Sequence, residues 1–373
     1  GDLLMGSVNL DNTGSGSAIT LSSDGTSLLL DGTAVGGGGG GLDLFVENYD
    51  GTSTLPTATG SNSITVGANA ASSGTDSIAL GRYVTASGFR STALGRFTTA
   101  SGQSSTAIGS NALSAETSTI AIGFSRAGDA SNAMAINIAN NTASYGATGL
   151  QSTAMGQLAK STAAQSISMG NTSFASGVKS MALGGYYARS EGENSLALGS
   201  YSLAENVGSV AIGPYSQAKT IGKVAFNASS TGSMTTGPGK QQRGLYILKA
   251  TTADATQTVL TGNGSTPDAS NSWIIGIAAA QAFSGTLIAR QDRDDGHDYA
   301  AWEIKGAALR NATVVELGTA IVNKLYNSTG ASAWAIAVSA NTTLGTIEIK
   351  VTGAASTDID WVATIDTSEL VNI

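Results

Sequence analysis

Residues 91–104 read STALGRFTTASGQS, and residues 105–118, which follow directly, read STAIGSNALSAETS. Variants of the pattern Ser-Xaa-Ala-(Ile/Leu/Val/Met)-Gly return every fourteen residues, apart from one interval of nineteen and one of fifteen. The twelve closing positions are Gly67, Gly81, Gly95, Gly109, Gly123, Asn137, Gly156, Gly170, Gly184, Gly199, Gly213 and Asn227. A fixed period of this length predicts a solenoid, in which each repeat forms one coil stacked on the next.

Side chains within each copy alternate with a period of two, as in Ile120-Ala121-Ile122, which is the spacing of a β-strand. The larger apolar pair and the alanine between its members therefore point to opposite sides. We expect the larger pair to fill the thin interior of the coil and the alanines to form a flat outer face that lets another chain approach. The opposite assignment is also compatible with the sequence. Glycines such as Gly95 suit the sharp corners, where φ is positive.

The repeat resembles the head repeat of trimeric autotransporter adhesins. The copy Ser91–Gly95 with Ala100-Ser101-Gly102 and the copy Ser209–Gly213 carry this resemblance, which extends over residues 63–227. The resemblance implies a left-handed parallel β-roll assembled as a homotrimer. A thin coil buries little surface by itself, so association about an axis along the roll is also expected on physical grounds.

The composition is typical of a fibre and limits the chemistry. Charged residues make up 12% of the chain, there are 49 glycines, and cysteine is absent, which excludes disulfides and thiol catalysis. The net charge of −8 disfavours binding to nucleic acid or to anionic membranes. No run of eighteen apolar residues predicts a membrane-inserted helix. No cofactor and no metal site are predicted.

The sequence predicts an all-β chain with four parts. Residues 1–60 form a β-rich attachment segment that includes the glycine run 36–41, and residues 61–228 form the roll of fourteen-residue repeats. Residues 229–244 form a neck, and residues 245–373 form a C-terminal β-sandwich or jelly roll of alternating strands. The last part holds every tryptophan of the chain and is similar to C-terminal domains of fibre proteins from marine tailed phages.

An acidic loop between two predicted strands of this last part is a candidate receptor site. The candidate residues are Asp292, Asp294, His297 and Asp298. Together with Asp295 these carboxylates could ligate Ca²⁺, although the spacing is not that of an EF-hand loop. An Asp-Gly hairpin tip in solvent is the alternative interpretation.

A second candidate site is an aromatic ladder on the roll. Two residues after a closing glycine lie Tyr83, Phe97, Tyr201 and Tyr215, with Tyr186 or Tyr187 at the equivalent place. Residues one period apart should stack about 4.8 Å apart on adjacent coils. The ladder either seals a corner of the roll or forms an exposed adhesive strip, with Arg82 and Arg96 beside it.

We therefore expect a structural, non-enzymatic, homotrimeric fibre of a tailed phage, located in the virion. Its N-terminal segment would join other virion proteins, the roll would act as a spacer, and the tryptophan-bearing domain would contact a host surface glycan or protein. A bacterial surface adhesin head is the alternative. A glycan-cutting tailspike is a further alternative, which would need paired carboxylic acids, and Glu191 with Glu193 is the closest such pair in the roll.

Overall fold

The computed structural model describes residues 8–10, 19–23, 28–30, 33–34, 54–139, 144–227, 241–292 and 298–370. Every regular element in these ranges is a β-strand, which confirms the all-β prediction. The chain divides into two compact units, residues 1–111 and residues 112–373. The first unit begins with an antiparallel sheet whose strands, in order, are Val8–Leu10, Ile19–Ser23, Leu28–Leu30 and Thr33–Ala34.

The repeats of the first unit form stacked coils, each with one strand in a first sheet and a shorter strand in a second sheet. Strands of the first sheet are Ile64–Val66, Ile78–Arg82, Thr92–Arg96 and Thr106–Ser110. Strands of the second sheet are Thr57–Ala58, Ala71–Ser72, Thr85–Ala86 and Thr99–Ala100. Neighbouring strands are parallel and in a fourteen-residue register that aligns Ala79, Ala93 and Ala107, which confirms the predicted solenoid.

The second unit continues the same construction. Its first-sheet strands are Ile120–Ile122, Met134–Ile136, Thr153–Met155, Ile167–Asn171, Met181–Tyr186, Leu196–Leu198, Val210–Ile212 and Val224–Phe226. Its second-sheet strands are Leu113–Ser114, Arg126–Ala127, Gly146–Ala147, Lys160–Ser161, Phe174–Ala175, Arg189–Ser190, Leu203–Ala204 and Gln217–Ala218. The fifteen-residue interval appears as a register shift after Met169, where Asn171 pairs with Tyr186.

The side chains that fill the interior of the coils are the opposite of those we expected. The alanines, such as Ala93, Ala121 and Ala197, are completely buried, and the larger apolar pairs point outward. A fourteen-residue coil brings its two sheets so close that the interior accommodates little more than a Cβ or a hydroxyl from each strand. Glycine is required at the corner for the same reason, because a Cβ on Gly95 would lie 1.9 Å from the carbonyl oxygen of Gly109.

Serine supplies the polar half of this narrow interior. Ser72 and Ser77 are both buried, and their hydroxyl oxygens lie 2.6 Å apart. Equivalent pairs are Ser114 with Thr119, Ser161 with Ser166, and Ser190 with Ser195. Where the second-sheet position is alanine instead, as at Ala86 and Ala175, the corner hydroxyls of Ser91 and Ser180 have no hydrogen-bond partner among the described residues. In coils that carry such a pair, each buried hydroxyl of the pair therefore forms a hydrogen bond with the hydroxyl five residues away.

The C-terminal part of the second unit is an antiparallel sandwich. Its large sheet contains the strands Gln241–Thr252, Ile359–Leu370, Ala279–Gln291, Tyr299–Arg310, Val315–Leu317 and Ile321–Asn327. Its small sheet contains Thr258–Val259, Thr346–Thr352, Trp273–Ile274 and Ala335–Asn341. The first strand of the large sheet begins at Gln241, inside the segment predicted as a neck.

Large aromatic side chains fill the space between the two sheets. Trp273, Trp302, Trp334 and Trp361 are each no more than 2% exposed and belong to one cluster with Tyr246 and Phe283. The indole nitrogen of Trp361 donates a hydrogen bond to the Thr252 hydroxyl at 2.9 Å. The tryptophans therefore form the core of the sandwich, and contact of this domain with a host surface stays a prediction.

The last coil is joined to the sandwich through backbone pairing and a buried ion pair. Strand Val224–Phe226 pairs antiparallel with Arg243–Leu245, so the first sheet passes directly into the large sheet. Lys223 occupies the corner position that serine holds in most other coils, and its Nζ lies 2.9 Å from a Glu369 carboxylate oxygen. Gln242, Tyr246 and Thr367 donate further hydrogen bonds to this carboxylate. The sandwich therefore covers the open edge of the last coil.

Candidate adhesive surfaces

The first sheet of the coils presents an apolar face to solvent. Ile64 is 49% exposed in the first unit, and Leu198 is 43% exposed in the second. Other exposed members of this face are Leu80, Ile122, Met169, Met181 and Phe226. Rows of exposed apolar side chains of this kind, within each unit, are typical of an interaction site.

The predicted aromatic ladder of the first unit is present. The rings of Tyr83 and Phe97 stack with centroids 4.9 Å apart and an interplanar angle of 13°. Arg82 lies 5.0 Å above the Tyr83 ring, and Arg96 lies 4.6 Å above the Phe97 ring. Tyr83 and Phe97 are 40% and 42% exposed, so this strip is accessible from solvent.

The ladder of the second unit is larger than predicted. Tyr201 stacks on Tyr215 at 4.8 Å and on Tyr187 at 5.7 Å, while Tyr186 contacts both Tyr187 and Tyr201 edge-on. A hydrogen bond with Tyr186 raises the pKa of Tyr187, and desolvation raises the pKa of Tyr201. Tyr215 is only 9% exposed, so the cluster seals a corner at Tyr215 and is open to solvent at Tyr186.

The backbone at these aromatic positions is left-handed. The φ angle is 56° at Tyr83, 53° at Phe97 and 58° at Tyr201, a region that bulky residues adopt rarely. Asn69 and Asn111 hold the same position in neighbouring repeats of the first unit with φ angles of 56° and 54°. Asparagine tolerates this conformation better, so the aromatic residues are retained for what their side chains contact.

The acidic loop lies between the paired strands Ala279–Gln291 and Tyr299–Arg310. Asp294 and His297 fall outside the described residues. Asp298 has a structural role, because it accepts hydrogen bonds from the Ser328 hydroxyl at 2.6 Å and from the Gly330 amide at 3.1 Å. The Asp292 amide donates to the Asp358 carbonyl at 2.9 Å. The role of this loop in receptor binding stays a prediction.

Sequence analysis missed an exposed aromatic pair next to this loop. Tyr299 and Tyr326 stack at 4.8 Å with an interplanar angle of 18°, and they are 44% and 50% exposed. A hydrogen bond between them raises the pKa of Tyr299. The two residues meet because strand Ile321–Asn327 pairs with strand Tyr299–Arg310 across a register shift after Ala301, a feature that has no signal in the sequence.

The closest pair of glutamates in the coils, Glu191 and Glu193, makes local contacts. Glu191 pairs with Arg189, and Asn194 donates to Glu193 at 3.4 Å. Within the described residues, no group of three or more His, Asp or Glu side chains is arranged to hold a metal ion. No helix in this part of the chain has the length and apolar character needed to cross a membrane.

The coils are similar to the repeats of a known protein family. Seven segments of the chain, several of which overlap, match one family of repeats. The coils match the YadA head domain repeat. The matched residues are 58–83, 86–112, 100–125, 147–173, 161–186, 175–202 and 190–216. YadA-head coils of this kind make the chain a fibre-like or adhesin-like protein and confirm the resemblance drawn from the sequence. No curated protein matches the chain.

Solved structures with some similarity to this chain are phage tailspikes. A tailspike of Acinetobacter baumannii bacteriophage Fri1, a capsular polysaccharide depolymerase, has 10% identity and a TM-score of 0.21 over 78% of this chain and 39% of that one. The tailspike of Acinetobacter phage vB_ApiP_P1 has 8% identity and a TM-score of 0.17 over 83% of this chain and 48% of that one. This chain thus spans less than half the length of either structure.

These structures correct one expectation. We expected a non-enzymatic fibre, and the presence of a depolymerase among the similar structures contradicts that expectation. A likeness at this level assigns no reaction and no catalytic residue to the chain. Glycan cleavage is therefore a question for direct assay.

Proposed function

We propose that the chain is a homotrimeric fibre of a tailed phage, a tail fibre or related virion fibre, that binds a receptor on the host cell surface. The observation that carries this proposal is the outward apolar face of the YadA-head coils. Alanine and serine fill the coil interior, while Ile64, Leu198 and their equivalents remain exposed. Copies of the chain packed face to face would remove this surface from water, at about 25 cal/mol for each Å² buried.

Rotational symmetry fits this face because the repeats are in register. Leu80 aligns with Leu94 and Ile108, so each coil offers the same side chains at the same position. A symmetry axis parallel to the stack lets every coil contact its equivalents in the other copies. An assembly of three chains is supported by the match to the head repeat of trimeric adhesins.

The parts of the chain would share the work. Residues 1–60 would join other virion proteins, and the coils would act as a spacer. The host surface glycan or protein would contact the aromatic strips of the coils and the exposed end of the sandwich that carries Tyr299, Tyr326 and the acidic loop. A bacterial surface adhesin head is the second candidate, favoured by the match of the repeat itself.

Adsorption to cells tests the proposal. The purified fluorescent chain is added to a panel of capsulated and capsule-free bacterial strains, and its mass is measured by light scattering. We expect a trimer that binds saturably to some strains. A monomer at micromolar concentration, or the absence of saturable binding to any strain that the parent phage infects, would overturn the proposal. Release of reducing ends from the strains' polysaccharide would replace simple binding with depolymerase activity.

A further inference from the structure

A local excess of positive charge distinguishes residues 54–111, the coils of the first unit, from the acidic chain as a whole. The whole chain has a net charge of −8, but residues 54–111 contain three arginines and only one acid, Asp76. Asp76 is already engaged, because its carboxylate lies 3.8 Å from Arg90. Arg82 and Arg96 form no ion pair with any residue that the structure describes.

The two unpaired arginines lie side by side. Arg82 and Arg96 are in direct register on adjacent parallel strands, which places their backbones about 4.8 Å apart. Both are exposed, and each guanidinium lies over the aromatic ring that follows it in sequence. The two guanidinium charges repel each other, so binding of an anion that contacts both is favoured.

Within residues 54–111, a second copy of the chain would offer only one acid to the two arginines. In a parallel trimer the same residues of each copy lie at the same height along the coils. The acid available at that height is then Asp76, which already pairs with Arg90 in its own chain.

We propose that Arg82, Arg96, Tyr83 and Phe97 form a binding site for a carboxylate-bearing polysaccharide. Arginine presents a planar fork of donors that matches a carboxylate, and a guanidinium held over a ring is pre-organised for that contact. The exposed edges and outer faces of the stacked rings suit the apolar face of a sugar ring.

The extent of the site follows from the ladder. The next repeat in register with Arg96 has Ser110, and the left-handed position beyond Phe97 holds Asn111. Toward the N-terminus the left-handed position holds Asn69. The site therefore spans two coils, which favours a short stretch of an extended polymer with regularly spaced anionic groups. The inference rests on the proposed adhesive function and names the class of ligand for it.

Fluorescence polarisation with labelled polygalacturonate tests the proposal on the full chain. Dextran of similar length is the neutral probe, and duplex DNA is the alternative polyanion. We expect binding to polygalacturonate that weakens as NaCl is raised, with neither of the other probes bound comparably. The double variant R82S/R96S should weaken binding by at least about tenfold, since two charge-assisted contacts are lost. Serine is tolerated at this position because Ser110 occupies it in the next coil.

A matched variant separates this site from general charge. Arg90 lies over Phe89 at 4.6 Å at the other turn of the coil, so R90S removes the same charge and the same type of ring contact elsewhere. It should leave binding within about twofold of the parent. A loss in R90S as large as that in R82S/R96S, unchanged binding in R82S/R96S, or DNA bound as tightly as polygalacturonate would each overturn the proposal.

Two further readouts identify what has failed. If R82S/R96S loses its trimeric mass, the arginines serve assembly, and the ligand proposal is wrong. If the parent chain adsorbs to host cells but does not bind polygalacturonate, the ligand class is wrong and the adhesive function stands. If the parent chain binds neither cells nor polymer, the proposed function itself fails.

Discussion

The coils and the C-terminal sandwich of the second unit use apolar residues in opposite ways. In the coils, alanines such as Ala121 and Ala197 form the interior, and Ile122 and Leu198 face solvent. In the sandwich, Trp302 and Trp361 form the interior, and the strands alternate buried and exposed residues around them. The sandwich can therefore be stable as a single chain. The coils expose their larger apolar groups, which favours association with another copy.

The largest effect is expected when the outer face of the coils is made charged. Leu80→Glu would place a carboxylate from every copy in the apolar contact between chains, at a cost of several kcal/mol for each chain. We expect the trimer to dissociate to single chains, as measured by analytical ultracentrifugation. Ser101→Glu is the control, because Ser101 is an exposed residue that follows a second-sheet strand. Dissociation caused equally by both variants would contradict the assignment of the contact face.

Removing a core aromatic of the sandwich tests the other half of the comparison. Trp361→Ala should lower the free energy of unfolding of the sandwich by about 4 kcal/mol, because it leaves a cavity among the aromatic residues. Thermal unfolding followed by tryptophan fluorescence measures the loss, and Trp361→Phe should give a smaller one. The mass of the assembly should not change, since the proposed contacts between copies lie on the coils. Loss of the trimer in Trp361→Ala would show that the sandwich drives assembly.

The repeat and the strand register were predictable, but the side that faces inward was not. A period of two places Ala93 and Leu94 on opposite sides of a strand without indicating which side is buried. That choice depends on the distance between the two sheets of a coil, and this distance follows from how sharply the corner glycines bend the chain. The same limit applies to the sandwich, where alternation located the strands but not the buried position of Trp361.

One of the candidate sites was also predictable from the sequence, and another was not. The stack of Tyr83 on Phe97 followed from the fourteen-residue period, because residues one period apart are neighbours on adjacent coils. The pairing of Tyr299 with Tyr326 did not, because it depends on a register shift between distant strands. Periodic sequence encodes contacts along the coils, whereas contacts in the sandwich depend on the full topology.

The next prediction concerns the buried ion pair between Lys223 of the last coil and Glu369 of the sandwich. Lys223→Met would leave the Glu369 carboxylate buried without its cation, at a cost of about 3 kcal/mol. Lys223→Met with Glu369→Gln should recover part of this loss, because the amide is neutral and retains hydrogen bonds with its neighbours. Chemical denaturation measures both. A Lys223→Met variant as stable as the parent would show that the junction contributes nothing to the stability of the sandwich.

The pH dependence of the same pair has a defined sign. Burial lowers the pKa of Lys223 in the folded chain, with the nearby Glu369 carboxylate opposing the shift. Between this lowered value and the ordinary lysine value, the unfolded chain binds more protons than the folded chain, so the free energy of unfolding should rise with pH in that alkaline window. The rise should be absent in Lys223→Met. An identical alkaline profile in both proteins would contradict this account.

The smallest effect concerns the hydroxyl pairs inside the coils. Ser161→Ala should cost about 1 kcal/mol, because it removes the partner of Ser166 at 2.7 Å. Ser180→Ala is the matched control and should be close to neutral, since the Ser180 hydroxyl has no partner among the described residues. Differential scanning calorimetry compares the two melting temperatures. Equal shifts would show that the pairing of serines does not matter.

The mass of the chain in solution tests most directly whether copies of the chain cover the outer face of the coils. Light scattering on the purified protein at micromolar concentration requires no variant and no ligand. We predict a single species of three times the 37.0 kDa chain mass that persists on dilution. A species of 37.0 kDa that remains soluble with its apolar face exposed would contradict the account.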